Sequence, residues 1–155
     1  ADEWKGFSAT NQITPYTGTL DYMTTDNSYY PVDEWTLDYM RQVKEILDQH
    51  GTKLLMVSAP NPLNWTTSKH NTLQEWCDQN NVTYIDYNLK PEELNINWLT
   101  DSRDGGDHLN YSGSVKFMNV LGKYLQENYE LTDHRNDPAY TKWNEDYKSI
   151  FGGAQ

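Results

Sequence analysis

Trp35, Tyr39, Val43, Ile46 and Leu47 recur at three- and four-residue spacing, which predicts the apolar face of a helix. Asp33 precedes it in the N-cap position, and His50-Gly51 closes it with a glycine suited to the residue that follows a helix end. The helical period then stops. Lys53-Leu-Leu-Met-Val-Ser58 is short, continuous and apolar, as in a strand buried on both faces, and Pro60 and Pro62 stop it. Leu73, Trp76 and Cys77 mark the inward side of a second helix from about Ser68 to Asn80, and Val82-Thr-Tyr-Ile-Asp-Tyr87 predicts a second buried strand. A short helical turn fits Pro91 to Trp98. Val115, Phe117, Val120, Leu121 and Tyr124 then predict a helix over about 112–128. Tyr140, Trp143, Tyr147, Ile150 and Phe151 keep helical spacing in the tail, residues 131–155, which is expected to pack back as an extra helix.

The order helix, strand, helix, strand, loop, helix predicts an α/β fold with a parallel sheet and right-handed crossovers. Residues 1–32 show no sustained period and read as an irregular wrapping segment, or as the tail of something that began upstream. Residues 33–128 form the α/β core, and the whole of 1–155 is read as one domain. Ligands of open parallel sheets sit outside the carboxyl ends of the strands. That edge collects Ser58 to Trp65, Asp86 to Asn88 and the loop before the last core helix.

Charge narrows the partners. A formal net charge of −11 argues against nucleic acid, whose phosphates call for a basic face, and against anionic membrane surfaces. No apolar run approaches the ~20 residues of a transmembrane helix. Cys77 is alone, so neither an intramolecular disulfide nor a cysteine metal site is expected, and its helical neighbours suggest a buried position. Six Trp and twelve Tyr are a surplus for so polar a chain; they suit a packed core first and carbohydrate-stacking surfaces second.

The chemistry concentrates in Asp101-Ser-Arg-Asp-Gly-Gly-Asp-His-Leu-Asn-Tyr-Ser-Gly113. A carboxylate bonded to one imidazole nitrogen leaves the other free to take a proton from a nucleophile. Asp104, four residues before His108 across two glycines, is the favoured partner; the adjacent Asp107 stays open, and Arg103 is expected to hold the loop. The structural alternative is a surface loop whose aspartates cap the helix and pair with Arg103. A calcium loop would alternate ligands more closely, and His50, His70 and His134 lack an i+4 histidine for zinc, so neither a metal nor another cofactor is expected. Ser58, at the end of the first strand, is a candidate nucleophile but lacks the Gly-x-Ser-x-Gly elbow; a turn hydroxyl is the alternative. Asn64 and Trp65 are candidates to line a sugar-accepting groove, or simply to close a loop over the core.

Gly106-Asp-His-Leu-Asn-Tyr-Ser-Gly113 followed by an apolar helix resembles the last block of SGNH (GDSL-like) hydrolases. Pro60-Asn-Pro62, Asn64-Trp65 and His70-Asn71 also resemble the second half of large SGNH-like proteins of Gram-positive bacteria, and the segment from Leu131 through Trp143 is similar to their tail. The resemblance covers about residues 33–147. It implies a flavodoxin-like three-layer sandwich, whole or as its C-terminal part, with esterase or acyl-transfer chemistry on acylated carbohydrates or similar esters. It also implies an extracytoplasmic bacterial setting, although composition alone leaves a cytoplasmic one open. Two departures stand out: Gly105 occupies the place of the acid in Asp-x-x-His, and no Gly-Asp-Ser block supplies the nucleophile.

The leading expectation is therefore an ester hydrolase or O-acyltransferase with His108 as general base, Asp104 or Asp107 as its orienting acid, and a serine from an absent segment or Ser58 as nucleophile. The rival is a non-catalytic carbohydrate- or partner-binding module on the same scaffold. A half-fold would expose a sheet edge, so a homodimer or a missing upstream segment is expected to cover it.

Overall fold

The computed structural model describes residue 8 and residues 10–151; the side chains of Ile150 and Phe151, with the remaining terminal residues, lie outside that description. Among the described residues the chain is mixed α/β, with a parallel two-stranded sheet and five α-helices. Helix α1 (Glu34–Gln49) leads to β1 (Leu55–Ser58), α2 (Thr67–Gln79) and β2 (Thr83–Asp86). A 3₁₀ turn (Tyr87–Leu89) and the one-turn α3 (Pro91–Leu94) precede the acidic loop, α4 (Tyr111–Asn128) and α5 (Thr141–Phe151). No helix among the described residues is long and apolar enough to cross a membrane.

The helix ends follow from local chemistry. Thr66 and Asn110 accept Lys69 N–H (3.4 Å) and Gly113 N–H (3.1 Å), each satisfying an amide that a helix start leaves open. Asp33 holds the α1 N-cap position without a side-chain bond, and Gly51 follows that helix at φ +65°. The register pairs Leu55 with Thr83 and Ser58 with Asp86, so the two strands end side by side. Alternation then divides the core. Met56 and Tyr84, with Leu54 and Val82 just outside the strands, pack with Trp76, Cys77, Leu37 and Met40. On the other side Leu55, Val57, Ile85 and Tyr87 meet Leu94, Phe117 and Leu121. Burying each such aliphatic or aromatic side chain stabilises the fold by about 1.5–3 kcal/mol.

Helix α1 departs from its predicted orientation. Leu37 and Met40 pack inward, whereas Trp35 (63 % exposed), Tyr39 (61 %), Val43 (50 %) and Ile46 (55 %) face outward. The helix has apolar positions over a wide arc, and the short sheet covers only one margin of it. In α5, Trp143 and Tyr147 are also exposed.

The leading segment has no regular structure but is tied down by backbone bonds. Thr14 N–H donates to Ser102 O (2.9 Å), Gly105 N–H to Thr14 O (3.1 Å), and Tyr111 N–H to Thr10 O (2.8 Å). Farther along, Tyr30 N–H reaches Ser68 O (3.1 Å), and the Asn71 amide donates to Asp26 O and Ser28 O, each at 2.9 Å. The segment thus crosses the acidic loop and then the first turns of α2.

Candidate functional site

The acidic loop is closed at its base. Ser102 and Leu109 form an antiparallel bridge, and Arg103 N–H donates to His108 O (3.1 Å). Fully buried Ser102 accepts Gly106 N–H at 2.8 Å, which draws the loop inward over its hydroxyl. Gly105 and Gly106 turn the chain at φ +78° and +104°, a region L side chains rarely adopt. A Cβ on Gly106 would also stand 2.7 Å from the ring of Tyr16. The loop is anchored by buried Asp101, whose Oδ2 accepts Asn97 N–H (2.8 Å) and the Lys116 ammonium of α4 (2.6 Å). Burial pushes the Asp101 carboxyl up, but the Lys116 and Asn97 bonds outweigh it and leave it below the usual range.

This turn brings Asp104 back onto His108. Asp104 Oδ2 lies 2.6 Å from His108 Nδ1, while Oδ1 accepts the His108 backbone N–H at 2.7 Å. Partial burial raises the Asp104 carboxyl, and the two His108 bonds more than reverse this, holding it below its ordinary value. An anionic Asp104 stabilises the tautomer with its proton on Nδ1. His108 Nε2 then has no hydrogen-bond partner among the described residues. Asp107 is more distant, with Oδ2 3.6 Å from the same Nδ1. Arg103 Nε sits 3.7 Å from Asp104 Oδ2, a loose ion pair.

Asp107 is instead held from across the strand ends. Its Oδ1 accepts the amides of Asn64 and Asn61, each at 2.8 Å, and these keep its carboxyl below the usual range. A cavity of about 400 Å³ opens beside the loop, lined by His108, Asp107, Arg103, Asn61 and the hydroxyl residues Ser8 and Ser114. Leu109 and Phe117 contribute apolar wall. Imidazole, guanidinium, amide and hydroxyl groups on one cavity suit proton transfer to and from a polar substrate. Ligand atoms of Asp104, Asp107 and His108 also lie within 4.8 Å of one another, a grouping among the described residues that could hold a metal ion.

The other candidates lie elsewhere. Ser58 is buried, with its hydroxyl 2.8 Å from the Tyr84 phenol, and it is not among the cavity-lining residues. Trp65 does not face that cavity either; its indole N–H donates to Asp86 Oδ2 at 2.9 Å. There it joins a second Asp–His pair, because His70 Nδ1 is 2.9 Å from the same oxygen. Asp86 Oδ1 accepts both the backbone N–H (2.9 Å) and the side-chain amide (2.7 Å) of Asn88. The His70 ring stacks on Tyr84 at 5.7 Å. Burial first, then the Asp86 charge, push the nearby Tyr22 phenol up to about 12.

A sequence reading places Asn61 and Asp86 on the strand-end edge but not with their partners, and Ser114 and the His70–Asp86 contact escape it. For Asn61 a weak signal exists, since Pro60 and Pro62 fix the backbone around it on the edge where strands end. For the contact between His70 and Asp86, 16 residues apart on separate elements, there is none. Comparison with protein-family models, curated proteins and solved structures gives no match for this chain.

Proposed function

We propose that this chain carries the acid–base part of an SGNH-like ester hydrolase or O-acyltransferase site, acting on acylated carbohydrates or similar esters, with His108 as general base. The observation that supports it is the 2.6 Å contact from Asp104 to His108 Nδ1, beside a cavity of about 400 Å³. In this reading Nε2 takes the proton of a serine hydroxyl as its oxygen attacks the ester carbonyl carbon. It then returns that proton to the departing alkoxide. Water or a sugar hydroxyl next attacks the acyl-serine, its proton again passing through Nε2. Asp104 holds the ring and stabilises the imidazolium, and Asp107 adds a second negative charge on the same side. Arg103 stabilises the acidic loop.

The finer fold in this reading is the flavodoxin-like three-layer sandwich, in an extracytoplasmic setting. The outer edge of β1 is unpaired among the described residues, and beside it lies an apolar cavity of about 330 Å³ lined by Trp35, Tyr39, Val43 and Met56. That pairing of an open edge with an apolar face favours a homodimer, with an upstream segment as the competing occupant. Light scattering checks it: a clean monomer at micromolar concentration refutes the dimer.

Fluorophosphonate labelling followed by peptide mapping tests the chemistry. Labelling that disappears in His108→Ala supports an activated serine in the chain, and the mapped peptide tells Ser114 from Ser58. Full labelling or full ester turnover in His108→Ala rejects the reading. A second reading, a carbohydrate-binding module without catalysis, draws on the exposed aromatics: Trp35 and Tyr39 meet edge to face at 6.0 Å, 63 % and 61 % exposed. Calorimetry separates the two, because glycan binding that survives His108→Ala while ester turnover is absent favours the module.

A further inference from the structure

We propose that Asn61 and Asn64 are positioning residues: their amides clamp one oxygen of Asp107 so that its other oxygen faces the His108 imidazole. The inference rests on His108 as the working base, and it assigns to the loop after β1 a part in building that base. Both amide nitrogens stand 2.8 Å from Asp107 Oδ1, while Asp107 Oδ2 is the atom 3.6 Å from His108 Nδ1. The imidazole nitrogen therefore looks onto two carboxylates, one bonded directly and one held in place from outside the loop.

The clamp has a defined orientation. Asn61 Oδ1 accepts Asn64 N–H at 2.8 Å, which fixes which end of the amide is oxygen and leaves Nδ2 to meet Asp107. The backbone of Asn61 is fixed in turn, its N–H donating to Asn88 Oδ1 at 2.8 Å. Asn88 is 4 % exposed, and its own amide nitrogen donates to Ala59 O (3.1 Å) and to Asp86 Oδ1 (2.7 Å). A continuous polar path thus runs from the buried carboxyl end of β2, through the loop after β1, to the carboxylate beside His108. An aspartate at position 61 would set carboxylate against carboxylate, so the amide is the side chain this place requires.

The test pairs Asn61→Ala/Asn64→Ala with the single Asn64→Ala, whose exposed side chain can be lost without unfolding the chain. Carbon-13 NMR titration of the Asp107 carboxyl is the first readout. Loss of both amides is expected to raise its midpoint toward the ordinary aspartate range, and loss of one to raise it by less. The second readout is kcat/KM on a p-nitrophenyl ester. It is expected to fall about tenfold in the double variant and not at all when the same changes are made in Asp107→Asn, which already lacks the charge. An unmoved Asp107 titration overturns the clamp. Tenfold losses that persist in the Asp107→Asn background overturn it too. If the titration moves while the wild type turns over no ester, the clamp stands and it is the esterase reading that fails.

Discussion

His108 meets Asp104 at 2.6 Å and His70 meets Asp86 at 2.9 Å, each through Nδ1, yet the surroundings give the pairs opposite characters. The Asp86 side chain is 1 % exposed and His70 16 %, against 37 % and 55 % for Asp104 and His108. Asp86 spends both oxygens on the scaffold, binding Trp65, His70 and Asn88 at the end of β2. Asp104 spends both on His108, with only a loose 3.7 Å ion pair to Arg103 besides, in a loop that opens on a cavity. A buried and fully bonded carboxylate organises structure, whereas an exposed pair on a cavity is placed to exchange protons with what enters it. Contact distance alone does not distinguish these roles; the other partners of the carboxylate do.

The sharpest way to break the contrast is to remove each carboxylate and compare. Asp86→Ala strands the Trp65 indole N–H, His70 and the Asn88 amide in a buried place. Breaking a buried charged network of this kind is expected to cost about 3–5 kcal/mol of folding stability. Asp104→Ala, at the surface, is expected to cost about 1 kcal/mol or less. Urea unfolding of the two variants measures the gap, and equal losses would erase the distinction between the pairs.

Activity should show the inverse order. His108→Ala is expected to lower kcat/KM for ester turnover at least about 100-fold, with a melting temperature within a few degrees of the parent. His70→Ala should lose stability first and activity only in proportion to the unfolded fraction. Steady-state kinetics on samples checked for folding separate the two. A His70 variant that is folded and inactive would move the site to the buried pair.

Much of this arrangement is legible in the sequence, and the boundary has physical causes. Residue order and the two apolar runs predict the strands and their flanking helices, because apolar packing on both sides of the sheet leaves a continuous signal, even though the strand side chains are largely half-buried. The turn from Asp104 to His108 is readable too, since two glycines between an acid and an imidazole allow the chain to double back. The α1 face is not. Periodicity reports an apolar arc, and which part of it is covered depends on how much sheet lies beneath. The strand-end edge that collects Asn61, Asn88 and Asp86 is legible, but the bonds along it are not, for another reason: Asn61 and Asp107 are 46 positions apart, and amides at strand ends carry no period.

A milder perturbation uses pH. Asp104 and Asp107 both titrate below the ordinary aspartate value of about 3.9. Because their folded values are depressed, their contribution to holding the loop is complete above that value. It is lost as pH falls through the folded ones. Amide signals of Gly105 and Gly106 should therefore show a step below about pH 4, as the two carboxylates take up protons. In Asp107→Asn the direct Asp104 bonds remain, so the onset should stay in the same range. Glycine signals with no step below about pH 4 would show that these carboxylates do not set the loop's conformation.

The smallest effect concerns the two serines. Ser58 and Tyr84 share one hydrogen bond of 2.8 Å where the strands end, and burial raises the Tyr84 phenol, keeping it protonated and able to donate. Ser58→Ala removes one side of a neutral bond, a change of about 1 kcal/mol in unfolding free energy, and Tyr84→Phe removes in addition the phenol's bond to Asp86. Phenylalanine keeps the stacking surface under His70, so the pair effect should be little more than that of Tyr84→Phe alone. Ester turnover should stay within about twofold, because neither hydroxyl lines the cavity beside His108. Ser114→Ala makes the opposite demand: little change in stability, and loss of fluorophosphonate labelling if the mapped serine is the one facing that cavity. Should Ser58→Ala abolish labelling while Ser114→Ala leaves it intact, the nucleophile lies at the strand end. The buried pair, not the exposed one, would then be the nearer base.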